Sequence, residues 1–234
     1  TDIHTLVSPR SRAAEAYRVV RGATLYALSQ MTPSTYANGS EHPAAVLMVT
    51  SASPGEGKTV TVSNLAAVFA ESGLDVLVIN CDFRRPRIHR YLLEDHPHDP
   101  PAVADVTAPR PTRIERVHLI TGVGEGSPDV NPADVIAVQQ QLIDTHRNRY
   151  QVILFDTAPF LATNDASELL PRVDLVTVVV RSGKTTAESA HRTAEVLARF
   201  DAPMLGIVFN GSEQTQGAQY YYYGYGETSG AEVP

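Results

Sequence analysis

The chain has 234 residues, 43% of them hydrophobic, and a formal net charge of −7, which is typical of one globular domain with short appendages. It contains no run of about 18 apolar residues and no signal-peptide pattern, which excludes a membrane span within it. The single cysteine excludes an internal disulfide, and the acidic balance without a basic stretch argues against nucleic acid as the main partner. Because the first residue is Thr1 rather than Met, we expect a processed product or a cytoplasmic piece of a longer protein.

The first predicted element is a helix over residues 11–30, with Ser11 as its N-cap. A polar connector over 32–40 separates this helix from the next apolar run. We therefore assign 1–43 to an N-terminal helical segment. Three charged residues spaced three apart share one face of the helix, and on spacing alone they form a solvated stripe. They are Glu15, Arg18 and Arg21.

A phosphate-binding loop follows the apolar run 44–49, which predicts a buried parallel strand. Glycines at 55 and 57 let backbone N–H groups converge on phosphate oxygens, and the next helix adds its positive end. Lys58 would reach the β- and γ-phosphates, and the Thr59 hydroxyl would ligate Mg²⁺. The strand, glycine-rich turn and helix together favour this interpretation over a chance Gly-Lys turn. The predicted nucleotide-binding residues are Ser53, Pro54, Gly55, Glu56, Gly57, Lys58, Thr59 and Val60.

Two further predicted strands are followed by acidic residues. The strand 75–79 precedes Asn80 and Asp82, and Asp82 would hold Mg²⁺ or instead pair with the arginines that follow it. The strand 152–155 runs into Asp156, which would meet Mg²⁺ or its bound water or instead cap a helix. Ligands of open α/β sheets gather at the carboxyl ends of strands, so both carboxylates are candidates for the same site as the phosphate loop.

Strands alternate with helices in the rest of the chain. This alternation implies right-handed βαβ units and a mostly parallel central sheet flanked by helices on both faces. The Pro-rich stretch 96–111 predicts an irregular surface excursion. We assign 44–215 to one core and 216–234 to a flexible tail. The remaining strands are predicted at 117–120, 175–180 and 204–209, and the remaining helices at 132–147 and 185–200.

The C-terminal part of the chain carries two more candidates. Asn210 ends the last predicted strand, where related phosphate-loop proteins read the adenine edge, although an Asn-Gly turn is an alternative. Half of the ten tyrosines form a cluster that no alternation anchors to the core, so we expect it to be mobile. On composition alone it is a sticky low-complexity tail. The clustered tyrosines are Tyr220, Tyr221, Tyr222, Tyr223 and Tyr225.

Together these motifs resemble the catalytic domain of the bacterial tyrosine kinases (BY-kinases), the family tied to capsular and exopolysaccharide export. That family's phosphate loop, Ser-x-x-Pro-Gly-x-Gly-Lys-Thr, is matched by 51–59. Its Asp-x-Asp-x-Arg motif corresponds to 80–84, and its Asp-Thr-Pro-Pro strand end to 156–159. The Glu-x-x-Arg-x-x-Arg helix and the terminal tyrosine cluster are also present. The resemblance covers almost the whole chain, including 181–185 and 206–210.

The resemblance implies a P-loop NTPase fold like that of MinD and ParA, with ATP and Mg²⁺ as cofactors. It implies a tyrosine autokinase in a ring-like homo-oligomer, joined through the charged stripe, in which each tail is phosphorylated in trans. It also implies a membrane adaptor, fused upstream or separate, that holds the kinase at the cytoplasmic face of the membrane and regulates polysaccharide synthesis and export. The residues expected to carry catalysis are Lys58, Asn80, Asp82, Arg84 and Asp156, those expected to hold the metal are Thr59, Asp82 and Asp156, and the clustered tyrosines are the expected substrate.

Two positions depart from the family pattern: Ala158 replaces a proline and Asn80 replaces an aspartate. An amide cannot accept the tyrosine proton, so we expect Mg-ATP binding to survive while phosphoryl transfer is slowed or relies on Asp82. One rival function is therefore a catalytically weakened ATP-binding scaffold that regulates polysaccharide polymerisation. Another is a MinD/ParA-like ATPase, but such proteins place a lysine early in the loop, where this chain has Ser53.

Overall fold

A seven-stranded sheet forms the centre of the computed structural model, which describes residues 3–31, 44–94, 105–125 and 129–212. The strand order across the sheet is β3-β4-β2-β5-β1-β6-β7. All neighbouring strands are parallel except β3, which runs antiparallel to β4. The strands are β1 (Ala45–Ser51), β2 (Val76–Asn80), β3 (Arg110–Pro111), β4 (Val117–Ile120), β5 (Val152–Asp156), β6 (Leu175–Arg181) and β7 (Met204–Asn210).

Helices cover both faces of the sheet, which confirms the predicted fold class. The helices are α1 (His4–Val7), α2 (Arg12–Gln30), α3 (Lys58–Glu71), α4 (His89–Leu92), α5 (Pro132–His146), α6 (Asp165–Leu169) and α7 (Ala187–Arg199), with a 3₁₀ turn at Leu170–Arg172. The first four pack on one face and the last three on the other. Among these described helices, none has both the length and the apolarity needed to cross a bilayer.

Apolar cores lie on both faces of the sheet. Since successive side chains of a strand point to opposite faces, β1 sends Leu47 and Val49 toward α3 and sends Val46 and Met48 toward α5. Every residue of β1 is buried, which explains why its first five residues form a continuous apolar run without polar alternation.

The long predicted elements are confirmed to within about two residues. The helix predicted at 11–30 is α2, and the Ser11 hydroxyl caps it by accepting a hydrogen bond from the Ala14 N–H at 3.2 Å. The short helices α1, α4 and α6 were not predicted, because four or five residues show no helical period. The irregular excursion predicted at 96–111 is wrong for its last two residues, which form β3, and residues 95–104 lie outside the described part.

Parallel pairing brings the candidate site residues to one edge of the sheet. In the register of β5 with its two neighbours, Asp156 lies opposite Val49 of β1 and opposite Asn80 of β2. The phosphate loop after Ser51 and the turn containing Asp82 therefore begin beside the end of β5.

At the opposite edge, formed by the amino ends of the parallel strands, a buried carboxylate links three elements. Asp174, just before β6, accepts a hydrogen bond from the Val46 N–H at 2.8 Å and pairs with the Arg147 guanidinium at 2.7 Å. Arg147 follows α5, so this one side chain fixes the beginning of β1 against α5 and β6. Its contacts lie at the opposite end of β1 from the phosphate loop.

We predict that Asp174→Ala lowers the free energy of unfolding by about 2–4 kcal/mol, because it leaves the buried Val46 N–H unpaired and removes the partner of Arg147. Urea denaturation measures the loss. Nucleotide affinity, measured by calorimetry under native conditions, should stay within about twofold of the parent, because the site lies at the opposite edge of the sheet.

The matched control is Asp144→Ala, which removes the carboxylate from a solvent-exposed ion pair with Arg172 at 3.1 Å. Exposed pairs contribute at most about 1 kcal/mol, so this variant should unfold close to the parent. Equal losses for the two variants would contradict the role assigned to Asp174.

Candidate nucleotide-binding site

The loop between β1 and α3 adopts a backbone that needs glycine at two positions. Gly55 and Gly57 have φ angles of +77° and +108°, in the region that disfavours other residues. A Cβ added at Gly57 would lie 2.1 Å from Asn210 Nδ2, and one added at Gly55 would lie 2.5 Å from Lys184 Nζ. The loop therefore has a backbone that suits glycine and is closely approached by other side chains, as a phosphate-binding loop is expected to be.

This loop lines a cavity of about 580 Å³ at the carboxyl edge of the sheet. The first turn of α3 lines the same cavity, so the positive end of that helix contributes to it. Asp82 is the acidic residue of the lining. This excess of positive charge suits a polyphosphate. The cationic residues of the lining are Lys58, Arg84, Arg85, Arg87, Arg181 and Lys184.

Lys58 is held beneath the phosphate loop. Its side chain is buried, and Nζ donates to the Ser51 hydroxyl at 3.1 Å. Burial lowers the pKa of Lys58, while the nearby charges of Asp156 and Asp82 act in the opposite direction. A phosphate in the cavity would add negative charge near the ammonium group and favour its charged form.

Asp156 ends β5 beside Lys58 and is 1% exposed. Burial raises its pKa to about 7, although a hydrogen bond from the Thr59 hydroxyl and the charge of Lys58 lower it. Its Oδ1 atom is buried and has no hydrogen-bond partner among the described residues. Because an unpaired buried carboxylate oxygen is costly and Mg²⁺ prefers oxygen ligands, this atom fits a metal ion or its bound water.

Asp82 lies next to Asp156. Its backbone N–H donates to the Asp156 carbonyl oxygen at 3.0 Å, and its carboxylate accepts from the Arg85 N–H at 3.1 Å. The alternative of an ion pair with the following guanidinium groups is not observed in the described structure, since Arg85 contributes only its backbone. Lys58, Asp82 and Asp156 thus converge at one edge of the sheet.

Arg84 lies at the rim of the cavity and pairs with a buried carboxylate. Its guanidinium contacts Asp165, at the start of α6, through two bonds of 2.8 and 3.2 Å. Such bidentate pairing fixes the orientation of the guanidinium plane. Its expected part in catalysis stays a prediction.

Three residues predicted to bind nucleotide, Ser53, Glu56 and Asn210, contact the protein instead of lining the cavity. The Glu56 carboxylate is fully buried and accepts from the Ser53 N–H at 2.7 Å and from the Thr185 hydroxyl. These bonds hold the shape of the phosphate loop.

Asn210 also contacts this loop. Its side-chain Nδ2 donates to the Glu56 carbonyl oxygen at 3.0 Å, and its own carbonyl accepts from Ser182. Asn210 therefore joins the end of β7 to the phosphate loop, and its predicted contact with adenine stays a prediction.

The last residue of β6 and the turn after it form a clamp on the phosphate loop that sequence reasoning missed. Arg181 Nη1 donates to the Gly55 carbonyl oxygen at 2.9 Å, Lys184 lies against the same glycine, and Thr185 bonds to Glu56. The stretch 181–185 was noticed only as part of the family resemblance. No local signal could assign it this role, because its contacts reach back about 126 residues.

The charged stripe of α2 is partly engaged within the same chain. Arg18 forms two bonds to Glu71 of α3, at 2.7 and 2.9 Å, and Arg21 donates to the Val68 carbonyl oxygen at 2.7 Å. Glu15 contacts Arg18 at 3.2 Å, yet its side chain is 69% exposed. Among the three, Glu15 is thus the residue most available to another chain.

The predicted tail and its tyrosines lie outside the described residues.

Comparison with known proteins agrees with this geometry. Residues 47–227 match the family model of the CobQ/CobB/MinD/ParA nucleotide binding domain. The chain is 31% identical over 234 residues to tyrosine-protein kinase YwqD of Bacillus subtilis, covering 95% of this chain and 91% of that protein. It is 28% identical over 225 residues to tyrosine-protein kinase etk of Escherichia coli K12, covering 92% of this chain but only 29% of the relative.

A solved structure extends the similarity. The BceF tyrosine kinase domain superposes with a TM-score of 0.70 at 28% identity, covering 89% of this chain and 81% of that one. The chain therefore spans most of the Bacillus relative and less than a third of the Escherichia one.

We predict that Asp156→Asn removes a pH-dependent loss of stability in the nucleotide-free protein. The unfolded carboxyl ionises near pH 4, but the folded one keeps its proton up to about pH 7, so the parent loses stability as pH rises through this window. Between about pH 5 and about pH 8, the free energy of unfolding of the parent should fall by about 2–3 kcal/mol more than that of the variant.

Chemical denaturation at the two pH values measures this difference. Asp156→Glu, which keeps a titratable carboxyl at the same position, is the control and should retain the parental pH dependence. Parallel curves for the parent and Asp156→Asn would contradict the inferred cost of ionising this buried carboxylate.

Proposed function

The chain belongs to the bacterial tyrosine kinases of the CobQ/CobB/MinD/ParA nucleotide-binding family, and from this membership we propose that it is an ATP-dependent autokinase of its own C-terminal tyrosines. The observation that carries the proposal is the convergence of Lys58, Asp82 and Asp156 beside the phosphate loop. The relatives named above are themselves called tyrosine-protein kinases. The proposed acceptors are Tyr220, Tyr221, Tyr222, Tyr223 and Tyr225.

Thr59, Asp82 and Asp156 would hold Mg²⁺ in this site. The unpaired Oδ1 atom of Asp156 and the Thr59 hydroxyl beside it support this assignment. A bound Mg²⁺ would neutralise part of the phosphate charge and favour departure of the nucleoside diphosphate. The Lys58 ammonium, held beneath the loop, would contact the phosphate oxygens directly.

Phosphoryl transfer would then proceed by direct attack. The phenol oxygen of a tyrosine forms a bond to the γ-phosphorus as the bond from that phosphorus to the bridging oxygen of ADP breaks. The phenol proton passes to the Asp82 carboxylate, which lines the cavity. Negative charge moves toward ADP, and Arg181 and Lys184 at the cavity wall stabilise it.

A second candidate is the ATP-binding scaffold, which Asn80 favours because this chain lacks a carboxylate at that position. It differs from the kinase in one measurable respect, since a scaffold binds Mg-ATP without forming phosphotyrosine. A MinD/ParA-like ATPase shares the fold, but Ser53 in the loop and the tyrosine cluster favour the kinase.

We predict that the protein incubated with Mg-ATP acquires phosphate on its C-terminal peptide, detected by mass spectrometry. Lys58→Met should lower the rate by roughly 10²–10³-fold, because it removes a charge aimed at the transferred phosphate. A variant with all five clustered tyrosines changed to phenylalanine is the control for the site of modification. Nucleotide binding without any phosphotyrosine in the parent would favour the scaffold.

We further propose that the kinase assembles into a ring in which each tail enters a neighbouring site. The exposure of Glu15 supports a contact between the beginning of α2 and a neighbouring chain. Arg18 and Arg21 instead form hydrogen bonds to α3 of the same chain. Each phosphotyrosine adds about −1.5 to −2 charge, and several on one tail would repel one another and the phosphates of the bound nucleotide, which would favour release of the tail.

We predict that Glu15→Ala shifts the protein from the ring to the monomer in multi-angle light scattering and slows phosphorylation of the tail. Glu188→Ala is the matched control, because Glu188 is also an exposed acidic residue in the first turn of a helix, on the opposite face of the sheet. Identical masses for the parent and the Glu15 variant would contradict this interface.

A membrane adaptor, fused or separate, would hold the kinase at the cytoplasmic face of the membrane and couple it to capsular or exopolysaccharide synthesis. Family resemblance supports this proposal, as does the greater length of the Escherichia relative, of which this chain covers 29%.

A further inference from the structure

The Asn80 side chain bridges two acidic residues. Asn80 ends β2 and is 1% exposed. Its Nδ2 atom donates to Glu125 Oε1 at 2.5 Å, and its Oδ1 atom accepts from the Asp82 N–H at 3.3 Å. The amide therefore links Glu125, a residue outside every motif of the sequence, to the backbone N–H of Asp82, a residue that lines the nucleotide cavity.

Glu125 is itself held firmly. It follows β4, the neighbour of β2 in the sheet. Its Oε1 atom also accepts from the Thr121 hydroxyl at 2.7 Å and from the Gly122 N–H at 2.8 Å. Three donors converge on this one oxygen, so the site requires a hydrogen-bond acceptor at position 125.

This acceptor decides which way the Asn80 amide points. The two ends of an amide have nearly the same shape, and only the NH₂ end can donate to Glu125. The oxygen end is consequently turned toward the Asp82 N–H. If the amide were reversed, its oxygen would face Glu125 Oε1 and its NH₂ group would face another donor, so both hydrogen bonds would be lost.

We propose that Glu125 is a positioning residue that acts through Asn80: it orients the amide, whose oxygen shares the Asp82 N–H with the Asp156 carbonyl and so helps to hold the Asp82 carboxylate in the cavity. Asn80 is accordingly the partner that Glu125 requires rather than a defective catalytic aspartate. The proposal rests on the proposed function for its effect on phosphoryl transfer, although the linkage itself is a property of the nucleotide-binding site.

Exchange of the two side chains tests the linkage. Asn80→Asp alone places two carboxylates in contact, so a carboxylate at position 80 should impair the site rather than improve it. In the double variant Asn80→Asp/Glu125→Gln, the new amide at position 125 can donate to the new carboxylate at position 80. The hydrogen bond between the two side chains is thus rebuilt, with the negative charge on residue 80 instead of residue 125. The nitrogen of the new amide then replaces the oxygen that accepts from the Gly122 N–H, so we expect partial recovery.

The first readout is the affinity for ADP, measured by calorimetry with and without Mg²⁺. Asn80→Asp and Glu125→Ala should each weaken ADP binding about tenfold with Mg²⁺ and by less than about twofold without it. The reason is that displacement of Asp82 affects only the part of the ADP affinity that depends on Mg²⁺. The double variant should recover to within about threefold of the parent. A purely structural role would weaken both affinities alike.

The second readout is the rate of tail phosphorylation, in which Asn80→Asp should be slower than both the parent and the double variant. If Asn80→Asp binds Mg-ADP as well as the parent, or the double variant binds no better than Asn80→Asp, the proposal is wrong. If the parent forms no phosphotyrosine, the kinase proposal fails, while the affinity measurements still decide the role of Glu125.

Discussion

The parallel register of β1, β5 and β2 is the constraint on which the site depends. It places Asp156 opposite both Val49 and Asn80, so the phosphate loop and the Asp82 turn begin at the same level of the sheet. A slip of one residue would exchange the side chains that face the two layers of helices and would separate the carboxylates from Lys58. The apolar cores on the two faces therefore fix the geometry of the site as well as the stability of the fold.

Buried charges are paired within the protein at one edge of the sheet and are incompletely paired at the other. At one edge, Asp174 has both a backbone donor and the Arg147 guanidinium, so its charge is matched within the chain. At the other, burial acts against the charged forms of both Lys58 and Asp156, and one oxygen of Asp156 has no protein partner among the described residues. A metal ion and phosphates would complete the interactions left incomplete at the second edge, and these incomplete interactions lower the stability of the nucleotide-free protein.

Hydrogen bonds from outside the phosphate loop keep it in a binding conformation. Arg181 and Asn210 bond to loop carbonyls, and Thr185 bonds to the buried Glu56. These contacts come from the ends of β6 and β7, so the strand order also determines which residues can support the loop. On the other side of the site, Asn80 connects Asp82 to Glu125 at the end of β4. Neighbouring strands thus support the nucleotide site from both sides.

The sequence by itself determined the order of the long strands and helices, the phosphate loop and the position of Asp156 at a strand end. Each of these depends on local spacing: apolar runs, glycines at fixed intervals, and a carboxylate directly after a strand. Only the tertiary structure decided that Arg84 pairs with Asp165, that Glu56 supports the loop and that Glu125 orients Asn80. Partners in these contacts lie from 45 to 129 residues apart. Local sequence patterns do not reveal such pairs, because the strand order and register of the folded sheet bring the two residues together.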